Sequence, residues 1–431
     1  MGGGLLQLVA YGAQDIYLSG NPQITFFKVV YKRHTNFSIE SIRQTFNGQA
    51  DFGRKVSCTI SRNGDMIHNM YLQLTLPALA DGERWTHRVG LALIKSVELE
   101  IGGQKIDKQY GEWFNIWNEL SLSLDKRQGW QRMVGHEIIG VNLEDNRNWD
   151  SGIGAPQTTL YIPLEFWFCR NAGLALPLIS LQYHEVKVNF EFRNLSELDR
   201  YNSPIQNSYH IVDAALWCDY IYLDTDERRR FAQASHEYLI EQIQVIEQSV
   251  SPNSGSSRID LTFNHPVKEL IWVVQLDGVV DGSGSVTLYG ENLKNLWFNY
   301  TDGFEDQYYR QNNITLYSDD FSRQNNCTSA KLQLNGHDRF QERAGEYFNL
   351  IQPFQHHSCI PLSKGINVYS FALRPEEHQP SGSCNFSRID NASLIVGHNN
   401  LGNKTAKIRI YAVNYNVLRV MSGMAGLAYS N

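Results

Sequence analysis

Residues Ser96–Asn115 read SVELEIGGQKIDKQYGEWFN, and residues Ser329–Asn349 read SAKLQLNGHDRFQERAGEYFN. Ser96 aligns with Ser329, Leu99 with Leu332 and Gly103 with Gly336. Glu112-Trp113-Phe114-Asn115 aligns with Glu346-Tyr347-Phe348-Asn349 once one inserted residue is allowed. An earlier pair runs in the same order, FSIESIRQTF from Phe37 and YLIEQIQVIEQ from Tyr238. A second copy this far downstream is no solenoid repeat, whose period would be about 20–50 residues. It implies two tandem domains of one fold. A doubled domain of this kind builds a surface rather than a pocket.

Strand signals dominate around the repeat. NMYLQLTL (69–76), VKVNFEF (186–192) and KIRIYAV (407–413) alternate apolar and polar residues, as half-buried antiparallel strands do. Asn47-Gly48, Asn63-Gly64 and Gly102-Gly103 supply turns that tolerate positive φ. Many such segments read as an all-β sandwich or barrel. Helix signals are few. Trp113, Ile116, Trp117, Leu120 and Leu124 fall at helical spacing and predict a helix packed on a sheet. DTDERRRFAQ predicts a second helix, with Asp224 as N-cap and Glu227 completing a capping box. The domain boundary is placed here, between Asp224 and His236, and Arg228, Arg229 and Arg230 read as a solvated face or an ion-pair set. Two stretches break the pattern: 126–157, a polar connection, and 275–328, a long insertion that carries aromatics and is expected to pack on something.

The 431 residues suit two or three domains, and 42% hydrophobic with 12% aromatic content suits a folded chain. The net charge is −7, against a dedicated nucleic-acid binder. Six cysteines without a CxxC pair read as free thiols of a reducing compartment. No signal peptide and no membrane-length apolar run is visible, so the chain is expected to be soluble and cytosolic in origin. No zinc motif, phosphate loop or dinucleotide fingerprint occurs, and no catalytic residue, cofactor or metal ligand is assigned. His356-His357-Ser358-Cys359 is the densest ligand-like cluster, but adjacent histidines on a strand point apart. Among eight Asn-x-Ser/Thr sequons, Asn299, Asn313, Asn326 and Asn403 are the candidate glycan sites. Trp297, Tyr300, Tyr308 and Tyr309 are candidate outer-loop aromatics; they would stack on sugars in a carbohydrate-binding attachment protein, or pack the loop on a neighbouring lobe. A cupin-like metalloenzyme would need His and carboxylates clustered on adjacent strands.

Longer blocks carry a resemblance. The N-terminus reads GGGLLQLVAYGAQDIYLSGNPQITFFKVVYKRHTNFSIESI; GLALPLISLQYHEVK follows from Gly173, YLDTDERRRFAQ from Tyr222 and HEYLIEQ from His236. FNHP from Phe263, QPSGSCNFSRIDNA from Gln379 and NYNVLRVMSGMAGLAY from Asn414 complete the set. Together they resemble the major capsid protein of the nucleo-cytoplasmic large DNA viruses, of phycodnavirus and chlorovirus type. The resemblance implies two tandem eight-stranded antiparallel jelly rolls with a few short helices and long loop insertions. It divides the chain into an N-terminal arm (1–30), a first jelly roll (31–224), a linker helix (225–236) and a second jelly roll (237–431). It implies a homotrimeric, pseudo-hexagonal capsomer that tiles an icosahedral shell. The partners it implies are neighbouring capsomers, minor capsid proteins beneath the arm and the penton protein, with no direct nucleic-acid contact and the inner membrane reached only indirectly. The place of action would be the virion, with synthesis and assembly in the host cytoplasm. A paralogous minor or vertex capsid subunit would share the same blocks. In the arm, Asn21-Pro22 is expected to turn the chain before a strand-like Ile24–Val30.

Overall fold

A computed structural model describes residues 10, 12–81, 83–135, 154–200, 205, 208–283, 287–288, 291–292, 294–301, 324–398 and 404–429. The chain divides into two units, Met1–Phe37 and Ser38–Asn431. The first therefore runs seven residues past the arm expected from the sequence. It holds one helical turn, Ile16–Ser19, and a turn at Asn21, whose φ is +54°. The expected strand Ile24–Val30 is not formed: those residues pair with no strand among the described residues, and Phe26 and Phe27 are exposed. Alternation offers a pleated face, but a strand exists only where a neighbour completes its ladder.

In the second unit the strands before residue 224 make two four-stranded sheets. One has the order β1 (Phe37–Gln44), β8 (Asp213–Leu223), β3 (Met66–Leu76), β6 (Thr158–Pro163). The other runs β2 (Lys55–Thr59), β7 (Val186–Phe192), β4 (Ile94–Ile101), β5 (Gln104–Gln109). The later strands repeat both orders. β9 (His236–Val250), β20 (Ala406–Met421), β11 (Pro266–Leu276) and β17 (Asn367–Ser370) form one sheet; β10 (Ser256–Asp260), β19 (Ala392–His398), β14 (Cys327–Leu334) and β15 (His337–Asp338) form the other. The pairings are antiparallel. The second half adds a small hairpin of β12 (Thr287–Leu288) and β13 (Glu291–Asn292). It also adds β21 (Met424–Leu427), which hairpins onto β20, and the two-residue strands β16 (Arg343–Ala344) and β18 (Cys384–Asn385). This is a double jelly roll, with eight corresponding strands per half.

The repeat extends to single side chains. The hairpin joining β4 to β5 turns on Gly102-Gly103 (φ +58° and +84°), and that joining β14 to β15 on Asn335-Gly336 (φ +51° and +79°). Both are two-residue loops with positive φ at each centre, the geometry that matches strand twist. Each hairpin leads to a helix that opens on a glycine at close quarters. A Cβ on Gly111 would lie 2.0 Å from Leu91 O, and one on Gly345 1.9 Å from Cys327 O. Backbone cannot yield to such an overlap, so the helix itself must shift. Gly345→Ala is expected to lower stability by about 2–4 kcal/mol, read as an earlier urea midpoint at unchanged slope.

The helix stripe starting at Trp113 resolves into two helices. α1 (Gly111–Ser121) is buried along nearly its whole length; the chain is extended at Leu122, and α2 (Leu124–Val134) follows. Residues 126–157 do connect strands of the first half, β5 to β6; nine of them belong to α2, which buries Trp130 and Val134. Residues 136–153 lie outside the described residues. α3 (Thr225–Gln233) sits between the two sets of strands; Asp224 caps it by accepting from Glu227 N–H at 3.0 Å, half of the expected box. Arg228 Nε lies 3.0 Å from Asp65 Oδ1, so one of the three arginines ties the linker to the first jelly roll.

Candidate functional site

The site that organises the molecule is the seam between the jelly rolls, and its shape begins with β11. Leu270, Trp272 and Val274 face the core of the second jelly roll; Ile271 and Val273 face the other way, into a cluster shared with the first. Both faces are buried, which is why β11 reads ELIWVVQL without polar alternation. The corresponding β3 is NMYLQLTL: Met70, Leu72 and Leu74 are buried, and Tyr71 and Gln73 are half-buried on the outer face.

α1 lies against the outer face of β20. The Trp113 and Tyr411 rings are 5.5 Å apart. Glu112, in the first turn of α1, accepts from Arg409 Nη1 at 2.8 and 3.0 Å, from Tyr411 Oη at 2.7 Å and from Tyr300 Oη at 3.3 Å. Arg409 also donates to Glu247 (2.7 Å) and Gln275 (2.9 Å). Burial opposes the Arg409 charge, and the Glu112 carboxylate more than restores it, so its pKa is raised. Burial, and then the charge of Glu112, push the phenols of Tyr300 and Tyr411 well up. Further along, Leu362 N–H donates to Glu119 Oε2 (3.2 Å), and Glu119 also holds Arg88 (3.1 Å). Glu241 of β9 takes Lys268 (2.6 Å) from its own jelly roll and Arg170 (3.0 Å) from the other. Ile243 N–H donates to Asp107 Oδ1 at 3.1 Å; burial pushes Asp107 up to about 6, with these hydrogen bonds opposing. The seam is thus apolar at its centre and pinned by paired charges, and it fixes the two jelly rolls to each other.

The sequence candidates fall differently from expectation. Trp297 and Tyr300 are not outer-loop residues. Trp297 Nε1 donates to Glu197 O (2.9 Å) under the Arg193 guanidinium (3.9 Å), and Tyr300 is fully buried against Glu112. The insertion folds its aromatic start into the seam, where each ring packs on apolar surface and its polar tip finds a partner. Asn299 and Asn326 are buried as well, Asn326 donating to Val274 O (2.9 Å), so neither offers its amide to a glycan in this fold. Asn313, Asn403, Tyr308 and Tyr309 lie outside the described residues. His357 is taken up by two carboxylates, with Nε2 2.9 Å from Glu269 Oε2 and Nδ1 2.9 Å from Glu376 Oε1. Among the described residues no group of three or more His, Cys, Asp or Glu side chains could hold a metal ion. Sequence reasoning missed Glu112, Arg409 and Glu241. The one available signal was a charge embedded in an apolar stripe, at Glu112 beside Trp113-Phe114.

The known proteins that resemble the chain share this plan. Residues 25–224 match the major capsid protein N-terminus family and 227–426 the large eukaryotic DNA virus major capsid protein family. The major capsid protein of Phaeocystis pouchetii virus is 50% identical, and that of Pyramimonas orientalis virus 51%, each over 100% of both chains. The solved capsid of the virus PBCV-1 matches with a TM-score of 0.75 and 38% identity, over 94% of this chain and 100% of that one. The Faustovirus major capsid protein shares the fold at 12% identity, with a TM-score of 0.73 over 95% and 94%. With two jelly rolls of one strand order, a buried seam joining them and relatives aligned end to end, the chain belongs to the major capsid proteins of large eukaryotic DNA viruses and serves as a structural component of the capsid.

Proposed function

We propose that three copies of the chain form a pseudo-hexagonal capsomer that tiles the flat facets of an icosahedral shell. The observation that carries this reading is the identity of strand order in the two halves, locked face to helix by the seam. Two like lobes held at a fixed angle let three chains present six near-equivalent sides, and head-to-tail contacts close on themselves after three steps. The break between the two family matches, at 224 to 227, coincides with α3 and supports the division into jelly rolls at 31–224 and 237–431 around a linker helix. The protein works by shape, as a shell subunit rather than an enzyme. Its partners are neighbouring capsomers, minor capsid proteins on the inner face and the penton protein, and it is made and assembled in the host cytoplasm. Sugars, on this reading, attach at Asn313 and Asn403.

Native mass measurement of the purified chain is expected to give three copies and little monomer. Images of the particle should show a hexagonal outline about 70–80 Å across, from the dimensions of compact domains of this size. A monomer at micromolar concentration would overturn the reading. Deleting residues 1–20 should leave the oligomer and its melting temperature unchanged and impair shell assembly; loss of folding would count against the arm assignment.

A further inference from the structure

The internal repeat pairs each side chain of α1 with one in the second jelly roll, and the two sets differ sharply in exposure. α1 continues from Glu112-Trp113-Phe114-Asn115 to Ile116, Trp117 and Leu120. The second copy continues from Glu346-Tyr347-Phe348-Asn349 to Leu350, Ile351 and Phe354, through a π-helical turn (Tyr347–Ile351) and α4 (Gln352–His356). The core-facing members agree: Phe114 and Phe348 are both buried, as are Asn115 and Asn349. The outer members do not. Ile116, Trp117 and Leu120 are 0, 5 and 0% exposed; Leu350, Ile351 and Phe354 are 45, 46 and 74% exposed. Glu112 is buried, and Glu346 is exposed. The reason lies in the chain itself: α1 is covered by the second jelly roll, and nothing among the described residues covers α4 in the same way.

The receiving surface is duplicated too. α1 meets β20 through Glu112 and Trp113, both of which touch Tyr411, and Tyr411 pairs with Ile271 of β11. In the first jelly roll the same register pairs Tyr71 of β3 with Trp217 of β8. Those two rings stack with centroids 6.2 Å apart, Tyr161 of β6 lies 6.2 Å from Tyr71, and Tyr161 is 41% exposed. Each jelly roll therefore carries a helix that docks and a sheet face that receives. One helix and one face are used up inside the chain. The left-over helix is in the second jelly roll and the left-over face in the first, which is the arrangement that head-to-tail association requires.

We infer that Leu350, Ile351 and Phe354 dock onto the Tyr71–Tyr161–Trp217 face of a second copy of the chain, so that the contact between subunits is a repeat of the contact within one. The inference rests on the trimer reading and names its seam. The copy is not perfect. Where Arg409 meets Glu112 inside the chain, the aligned position in the first jelly roll is Ala215. The contact between subunits therefore lacks that ion pair and relies on apolar burial. Exposed aromatic and aliphatic anchors facing an aromatic platform are the residue types that dominate interface energetics.

The test uses the full chain. Leu350→Asp with Phe354→Asp is expected to shift the native mass from three copies to one and to raise the dissociation constant roughly 100-fold or more. Its far-UV circular dichroism should match that of the unmodified chain, since neither side chain is in a core, and its melting temperature should fall only by what association contributed. A photo-reactive benzoylphenylalanine at position 354, in an otherwise unmodified chain, should crosslink to peptides containing Tyr71, Tyr161 or Trp217 of another subunit. A trimeric double variant, or crosslinks confined to the same chain or to the second jelly roll, would overturn the seam and leave the trimer standing. A monomeric unmodified chain would instead overturn the trimer, and the seam with it.

Discussion

Glu112→Ala is expected to cost about 3 kcal/mol of unfolding free energy, the lower end of what breaking a buried ion pair costs. The carboxylate answers three donors from the other jelly roll at once: the Arg409 guanidinium and the Tyr411 and Tyr300 hydroxyls. Removing it strands two buried phenols, each at about 1–3 kcal/mol if left without an acceptor. Arg409 keeps Glu247 and Gln275, which is why the loss does not reach the upper end. Glu112→Gln retains shape and one acceptor and should cost about half as much. The control is written into the sequence: Glu346 holds the same place in the repeat but is exposed in the single chain, and Glu346→Ala, compared in the dissociated Leu350→Asp, Phe354→Asp background, should stay within about 0.5 kcal/mol. Urea unfolding of the three variants at one pH checks the ranking. Equal losses at 112 and 346 would mean that the seam is not what the Glu112 carboxylate holds. Because this carboxylate bridges the jelly rolls, its loss should also loosen the angle between them, and assembly should suffer at temperatures where the subunit is still folded.

What was legible in the sequence was whatever has a local cause. Alternation placed β3, β7 and β20, and the Gly102-Gly103 pair marked its hairpin, because period and positive φ are properties of a few neighbouring residues. Asp224 announced α3 through a bond only three residues long. The repeat was legible because both copies solve one packing problem: Gly111 and Gly345 each meet a carbonyl, and Phe114 and Phe348 each fill a core. What stayed hidden depends on residues far apart in the chain. Glu112 and Arg409 are 297 positions apart, and nothing near either names the other. The apolar run of β11 has no periodicity to read, since it is buried on both faces. The aromatic content of the insertion signalled that it packs on something, but the surface it meets is the seam, where Tyr300 is buried and Trp297 half-buried. Ile24–Val30 shows the opposite error, in which a sound local pattern finds no partner strand. The most instructive gap is between α1 and α4. α1 and the segment from Gly345 through α4 share Gly, Glu, Phe and Asn at matching positions, yet their outer faces are opposite in burial, and that difference can be seen only once the jelly rolls are placed side by side.

Replacing His357 by Gln should destabilise the protein at neutral pH and much less at alkaline pH, because the native imidazole is charged where an ordinary one is not. Burial alone would lower its pKa; Glu269 and Glu376, each 2.9 Å from a ring nitrogen, reverse this and raise it from 6.5 to about 9. A group whose folded pKa lies above its unfolded value binds its proton more tightly in the native state. Its contribution is therefore present in full below pH 6.5 and is lost as pH rises through 9. The size is on the order of 3 kcal/mol, since each tenfold gain in proton affinity is worth about 1.4 kcal/mol. Glu376, although burial opposes it, is held below the ordinary carboxylate range by the same ring and by Ser358, so its share is kept above its unfolded value and fades only in acid. Between these limits the cluster ties β11 to the chain just beyond α4 and to the Glu376 loop, behind the face inferred to meet another subunit. The measurement is the difference in unfolding free energy between unmodified protein and His357→Gln at pH 7 and pH 10, since other titrating groups are common to both and cancel. At pH 10 the native ring is neutral and Glu269 is left without its cation, as it is in the Gln variant at any pH, so the gap should shrink by more than half. A gap that holds constant across that range would mean the ring is neutral in the fold, and that the two carboxylates are held by something other than its charge.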